Sequence, residues 1–108
     1  MIKLGLLATM FLALSPDRAV ASGDATAGKT VYEKACKTCH GATGVANPNI
    51  AKMLKVDIKD LSSSEVQTKS DADVKKIISA GKGKMKPVKT VAGKDIDDVI
   101  AYVRTLKK

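Results

Sequence analysis

Five consecutive residues hold most of the chemistry available to this chain: Cys36, Lys37, Thr38, Cys39 and His40. They contain its only two cysteines and its only histidine. Several chemistries use such a cluster. A disulfide between Cys36 and Cys39 would close a very short loop, constrain the unfolded chain little and leave His40 unexplained. A thioredoxin-like dithiol pair belongs in a βαβ setting, and no strand pattern is visible here. A structural zinc site needs four ligands, more than two sulfurs and one imidazole supply. Cys-x-x-Cys-His is also the attachment signal for a covalent haem. Two thiols at this spacing can reach the two vinyl groups on one porphyrin edge as thioethers. The adjacent His40 then projects under the ring toward the iron. This reading uses every reactive residue of the motif, so one haem c is expected on Cys36 and Cys39, with His40 as the proximal axial ligand.

The sixth ligand decides what such an iron can do. A single histidine excludes two-histidine ligation within the chain. Past the N-terminal segment the methionines are Met53 and Met85. Met53 falls at helical spacing with Ile50 and Leu54, where methionine commonly fills packing gaps. Met85 stands in Gly81-Lys82-Gly83-Lys84-Met85-Lys86-Pro87. Glycines let the backbone bend there, and Pro87 stiffens the exit. An apolar side chain alone between two lysines is hard to explain as core. Met85 is therefore the expected distal axial ligand, with Met53 as the alternative.

The elements that must position these residues are helical. Asp24 to Cys39 carries Ala27, Gly28, Val31, Tyr32 and Ala35 at helical period, with Asp24 as a cap. Asp71 to Ala80 begins at a capping pattern, Ser70 with Asp73, presents Val74, Ile77 and Ile78, and stops at Gly81. Lys94 to Leu106 places Ile96, Val99, Ile100, Val103 and Leu106 on one face, with acidic residues at its start and lysines after its end. A short helix is expected within Ile50 to Val56. Gly41 to Asn49 and Gly81 to Thr90 read as loops. The fold class is all-α: three main helices plus long loops. Long loops in a compact domain need a reason, and wrapping a flat prosthetic group is one.

Composition agrees. The chain has no Trp, one Phe and two Tyr among 108 residues. So small a domain with so few large side chains needs added apolar area in its core, which a porphyrin face would supply. The N-terminus reads as an export signal over residues 1–21: positive Met1-Ile2-Lys3, the apolar run Leu4 to Leu14, then Ala19-Val20-Ala21 as a small-residue cleavage site. The domain is expected over residues 22–108, in the periplasm. Lys3, Arg18 and Asp17 lie ahead of that cut, so the net charge falls from +8 to +7.

Taken together these residues resemble the class I cytochrome c family, in particular its small bacterial single-haem members. The resemblance covers the whole expected mature chain. In that family a glycine and an aromatic residue precede the haem motif on the N-terminal helix; Gly28 and Tyr32 match. An aliphatic and an aromatic residue on the C-terminal helix pack across them; Val99 and Tyr102 match. A proline after the motif offers its carbonyl to Nδ1–H of the ligand histidine, and Pro48 is the match. The chain departs from the family in lacking a Trp or spare Tyr to hold the haem propionates. Its pocket walls are expected from Ile50, Leu54, Val56, Ile58, Leu61, Val74 and Ile78.

The resemblance implies a soluble one-electron carrier rather than an enzyme. A six-coordinate His40/Met85 iron has no open position for substrate. Lys82, Lys84, Lys86 and Lys89 surround the ligand loop, either as ordinary solvated lysines or as a positive rim that steers acidic redox partners. The chain offers no nucleic-acid motif, and a monomer is expected. The competing readings are a haem sensor with a weak or absent methionine bond, and a component of a peroxidase or dehydrogenase.

Overall fold

The computed structural model of the chain describes residues 23–108; the expected signal segment and its cleavage site lie outside them. Among the described residues six helices follow one another: α1 (Ala25–Ala35), α2 (Lys37–His40), α3 (Pro48–Leu54), α4 (Ser64–Gln67), α5 (Asp71–Ala80) and α6 (Lys94–Thr105). Among the described residues there is no strand, only an isolated bridge between Lys82 and Met85. The three longest helices are the three expected from periodicity. The first differs in one respect. The expected helix through Cys39 breaks at Cys36 (φ −120°, ψ −32°), and a separate short turn carries Lys37 to His40.

Local chemistry explains where the helices begin. The Asp24 carboxylate accepts from the backbone N–H groups of Thr26 and Ala27. Asn47 does the same for Asn49 and Ile50, with Pro48 in the first position of α3, where its missing N–H costs nothing. Ser70 Oγ accepts from Asp73 N–H at 3.1 Å. Each cap satisfies donors that the first turn would otherwise leave unpaired.

The core forms where α1 crosses α6. Tyr32, Val99 and Ile100 are all but fully buried, and Ile78, Val91, Ile96 and Val103 pack around them. Burying each such side chain contributes roughly 1.5–3 kcal/mol. The crossing is close because Gly28 has no side chain. A Cβ there would fall on the Asp98 carbonyl oxygen and lie 3.0 Å from Val99 N. The Tyr32 and Tyr102 rings meet beside it in a tilted pair, centroids 5.1 Å apart. Asp98 secures the same junction with polar contacts. Its buried carboxylate accepts from Asp24 N–H at 2.8 Å and from the Lys94 ammonium at 2.8 and 2.9 Å. The ends of the chain's helical frame are thereby locked together, and the loops between them are left to enclose the site.

Candidate functional site

α2 is a single helical turn with a task. His40 N–H donates to Cys36 O at 3.0 Å, and Cys39 N–H approaches the same carbonyl at 3.3 Å. Residues three and four apart lie on one side of a helical turn, so Cys36, Cys39 and His40 share a side of this turn's backbone. The two sulfurs are not bonded to each other, and both are half-buried. Behind the turn, Tyr32 reaches from α1 and donates its hydroxyl to the Gly41 carbonyl at 2.6 Å. Burial above all, with the neighbouring Cys36 and Tyr102 adding to it, pushes the Tyr32 phenol up to about 12, so it stays a donor at any ordinary pH.

The motif opens on a cavity of about 410 Å³, within the size range of cofactor pockets. Cys36 and His40 line it; Cys39 does not. Its walls are mainly aliphatic. Val56, Ile58, Leu61, Val74 and Ile78 take the places expected of them, joined by Val66, Ile77, Val99 and Val103. Ile50 and Leu54, also expected, do not reach it. They belong to α3, and the chain turns back to the cavity only after Lys55, whose left-handed backbone (φ 55°) ends that helix.

Met85 lines the same cavity. Its loop is tightly pinned. Lys82 N–H donates to Met85 O at 2.9 Å and Met85 N–H to Lys82 O at 3.0 Å, while Val88 N–H reaches Ile78 O on α5 at 2.8 Å. Gly81 makes the turn possible. It has φ 79°, and a Cβ there would meet Met85 O at 2.6 Å and Pro87 Cδ at 2.9 Å. Met53 is 69% exposed on α3 and does not line the cavity. Lys82 and Lys84 sit at the cavity, and Lys86 and Lys89 are exposed further along the loop.

Burial lowers the His40 pKa from its ordinary value, so the imidazole is neutral near pH 7, the form that binds metal. Its Nδ1 is buried without a hydrogen-bond partner. The Pro48 carbonyl, expected to accept from it, does not do so here. Pro48 instead opens α3, and its carbonyl enters that helix's own ladder. Burial, followed by the nearby Cys39 sulfur, pushes the free Cys36 thiol up to about 11. That environment disfavours the thiolate which zinc or a thiol nucleophile would require. Among the described residues no three His, Cys, Asp or Glu side chains converge as a metal cluster.

Periodicity did not point to α4, which adds Glu65 and Val66 to the wall, with Lys69 just beyond. Gln67 holds that segment, donating to Leu61 O at 2.7 Å and to Val103 O at 2.9 Å. Arg104 on α6 clamps it again, donating to Lys69 O at 2.7 Å and to Asp71 Oδ1 at 2.7 Å. Ser62-Ser63-Ser64 before Glu65 was the one local sign of a helix start, too short to carry a period.

An all-helical domain closed around an apolar slot, with Cys-x-x-Cys-His in its wall, has the architecture of a c-type cytochrome. Comparison with known proteins agrees. The family model described as cytochrome c oxidase, cbb3-type, subunit III matches residues 23–103. Cytochrome c-554(547) of Halothiobacillus neapolitanus is 32% identical over 91 residues, 80% of this chain and 100% of that protein. The solved structure of the KustC0563 c-type cytochrome superposes with a TM-score of 0.63 at 27% identity, covering 75% of this chain and 98% of that one. The chain belongs to the c-type cytochromes, as a small single-haem member, and the family's members carry electrons rather than transform substrates. Its cofactor is haem c, joined through the cysteine pair at positions 36 and 39. The residues fit that group: a neutral imidazole and the first of the two cysteines stand in the wall of a largely aliphatic slot. Among the described residues no helix is long and apolar enough to cross a membrane.

Proposed function

We propose that this cytochrome shuttles single electrons between exported redox proteins through an iron closed on both axial sides, by His40 and by Met85. The observation that carries this reading is the placement of the two methionines. Met85 and His40 line one cavity, whereas Met53 projects from α3 into solvent. Haem c supplies the one-electron couple of its iron. The protein's own residues decide how that couple is used. His40, held neutral by its burial, would supply an imidazole nitrogen to the metal. Met85, in the wall of the same cavity, would supply the second protein ligand, and with both supplied no place would remain for substrate or water. The aliphatic walls exclude water and, with the thioether, favour the less charged ferrous state, which raises the potential. Hydrogen bonds across Lys82 and Met85 hold the ligand loop still, which keeps rearrangement small as the charge changes.

Lys82, Lys84, Lys86 and Lys89 are exposed on that loop, and none pairs with a carboxylate among the described residues. In this reading they form a positive rim for acidic partners, where charge sets the encounter rate more than tight binding. Electron-transfer rates to such a partner fall steeply with ionic strength; a flat response would remove the steering role. Carbon monoxide added to the ferrous holoprotein at neutral pH tests the closed iron. An unchanged spectrum is expected, and tight binding would support a ligand sensor instead.

A further inference from the structure

The cavity is apolar except for six charged side chains: Asp57, Lys59, Glu65, Lys69, Lys82 and Lys84. Haem c brings two propionate carboxylates to this slot, and their counter-charge must come from somewhere. The usual neutral donors are missing. The chain has no Trp, Tyr32 spends its hydroxyl on Gly41, and Tyr102 does not line the cavity. Cys36 and His40 belong to the attachment motif. Asp57 and Glu65 would repel a carboxylate. Lys59 is already compensated, with its ammonium 3.5 Å from Glu65 and 4.0 Å from Asp57. Lys82 and Lys84 stand exposed on the ligand turn.

Lys69 differs from all of these. It is half-buried against the cavity, and no carboxylate of the described residues pairs with its ammonium. Its backbone is fixed at both ends. Lys69 N–H donates to Val66 O at 3.1 Å, and Lys69 O accepts from Arg104 Nη2 at 2.7 Å. Arg104 is itself held by Asp71 and by Gln67 O. A lysine half-buried at an apolar wall, fixed at its backbone and with no carboxylate partner for its ammonium, is arranged to receive an anion.

We propose that Lys69 is the cation that binds a haem propionate in this cytochrome, with the Arg104–Asp71 clamp fixing it from behind. The proposal rests on haem c occupying the cavity; it does not depend on Met85 being the distal ligand.

The test is the midpoint potential of purified holoprotein from pH 5 to pH 8. Wild type, with its propionate paired and ionised, gives a nearly level curve. Lys69→Gln removes a positive charge that favours the ferrous state. A unit charge acting at about 12 Å through an effective dielectric of about 20 changes an equilibrium constant about tenfold. The variant's reduction equilibrium therefore falls by about tenfold at pH 8, or ~59 mV for a one-electron couple. Its curve also slopes, because an unpaired carboxylate at an apolar wall takes up a proton within this range. Lys69→Arg restores the level curve, which a merely structural role would not do. Lys69→Met, which removes the same charge but keeps an apolar stem against the wall, gives a shift of the same sign and serves if Lys69→Gln accumulates poorly. The methionine–iron charge-transfer band is recorded for every variant and stays at wild-type strength, so axial ligation is judged separately. A Lys69→Gln curve that overlays wild type overturns the proposal. So does the same shift appearing in Lys59→Gln, Lys82→Gln or Lys84→Gln but not at Lys69.

Discussion

Gly28→Ala is the substitution for which the structure specifies the largest consequence from the smallest change. Two effects oppose each other. Alanine is the better helix former, by about 1 kcal/mol per residue in a helix interior. The added methyl, however, falls on the Asp98 carbonyl oxygen of α6 and 3.0 Å from Val99 N. Those are backbone atoms of a packed helix, so no side chain can rotate aside. Overpacking a tight contact costs about 1–3 kcal/mol, and the absence of an escape places this case at the upper end. The net loss is then ~2 kcal/mol. For a domain of this size each kcal/mol moves Tm by roughly 4–8 °C, so a fall of about 8–16 °C is expected. The assay is thermal unfolding of ferric holoprotein followed by far-ultraviolet circular dichroism. Lys29→Ala, an exposed neighbour on α1, is the control and stays within about 0.5 kcal/mol of wild type. If Gly28→Ala melts at or above wild type, helix propensity has won, and the close α1–α6 crossing described above is wrong.

Tyr32→Phe keeps the ring packed against Tyr102 but leaves the Gly41 carbonyl without its donor at 2.6 Å. A loss of about 1–2 kcal/mol in guanidinium unfolding is expected; an unchanged midpoint would mean that water or another donor replaces the hydroxyl. Asp98 governs the acid limb of stability. The Asp24 N–H, and after it the Lys94 ammonium, hold its carboxyl below the usual carboxylate range. The unfolded chain therefore takes up this proton first as pH falls. The contribution is fully present above the ordinary carboxylate value and is lost as pH drops through the lower folded one. Asp98→Asn flattens that limb below about pH 4, and parallel acid limbs in wild type and variant would show that the carboxylate is not its source.

The parts of this molecule legible in the sequence are those where several local signals coincide. Ser70, the stripe Val74, Ile77 and Ile78, and Gly81 agree on one helix, and α5 spans Asp71–Ala80 as expected. The attachment motif was legible because its chemistry lies within five residues. The break at Cys36 was not, because apolar spacing continues across it from α1 into α2 and gives no sign of the change in φ. α4 was missed because four residues cannot display a helical period. Pro48 shows a different limit. Its carbonyl was assigned by resemblance, yet Asn47 and Pro48 together start α3 and bind that carbonyl into the helix. The contacts that shape the cavity wall join residues far apart in the chain. Arg104 meets Asp71 across 33 positions, and Gln67 meets Val103 across 36. No local pattern encodes such pairs; they follow from how α6 lies once Gly28 has let α1 approach it.

If Met85 and His40 together close the iron, the absorption spectrum of the ferric protein carries the signature of the methionine bond. Wild type, Met85→Ala and Met53→Ala are compared as purified holoproteins, each checked for covalent haem under denaturing conditions. Met85→Ala is expected to retain covalent haem but lose the methionine–iron charge-transfer band, while Met53→Ala keeps both. A band that survives in Met85→Ala, or disappears in Met53→Ala, would contradict this ligation and transfer the sixth ligand to α3.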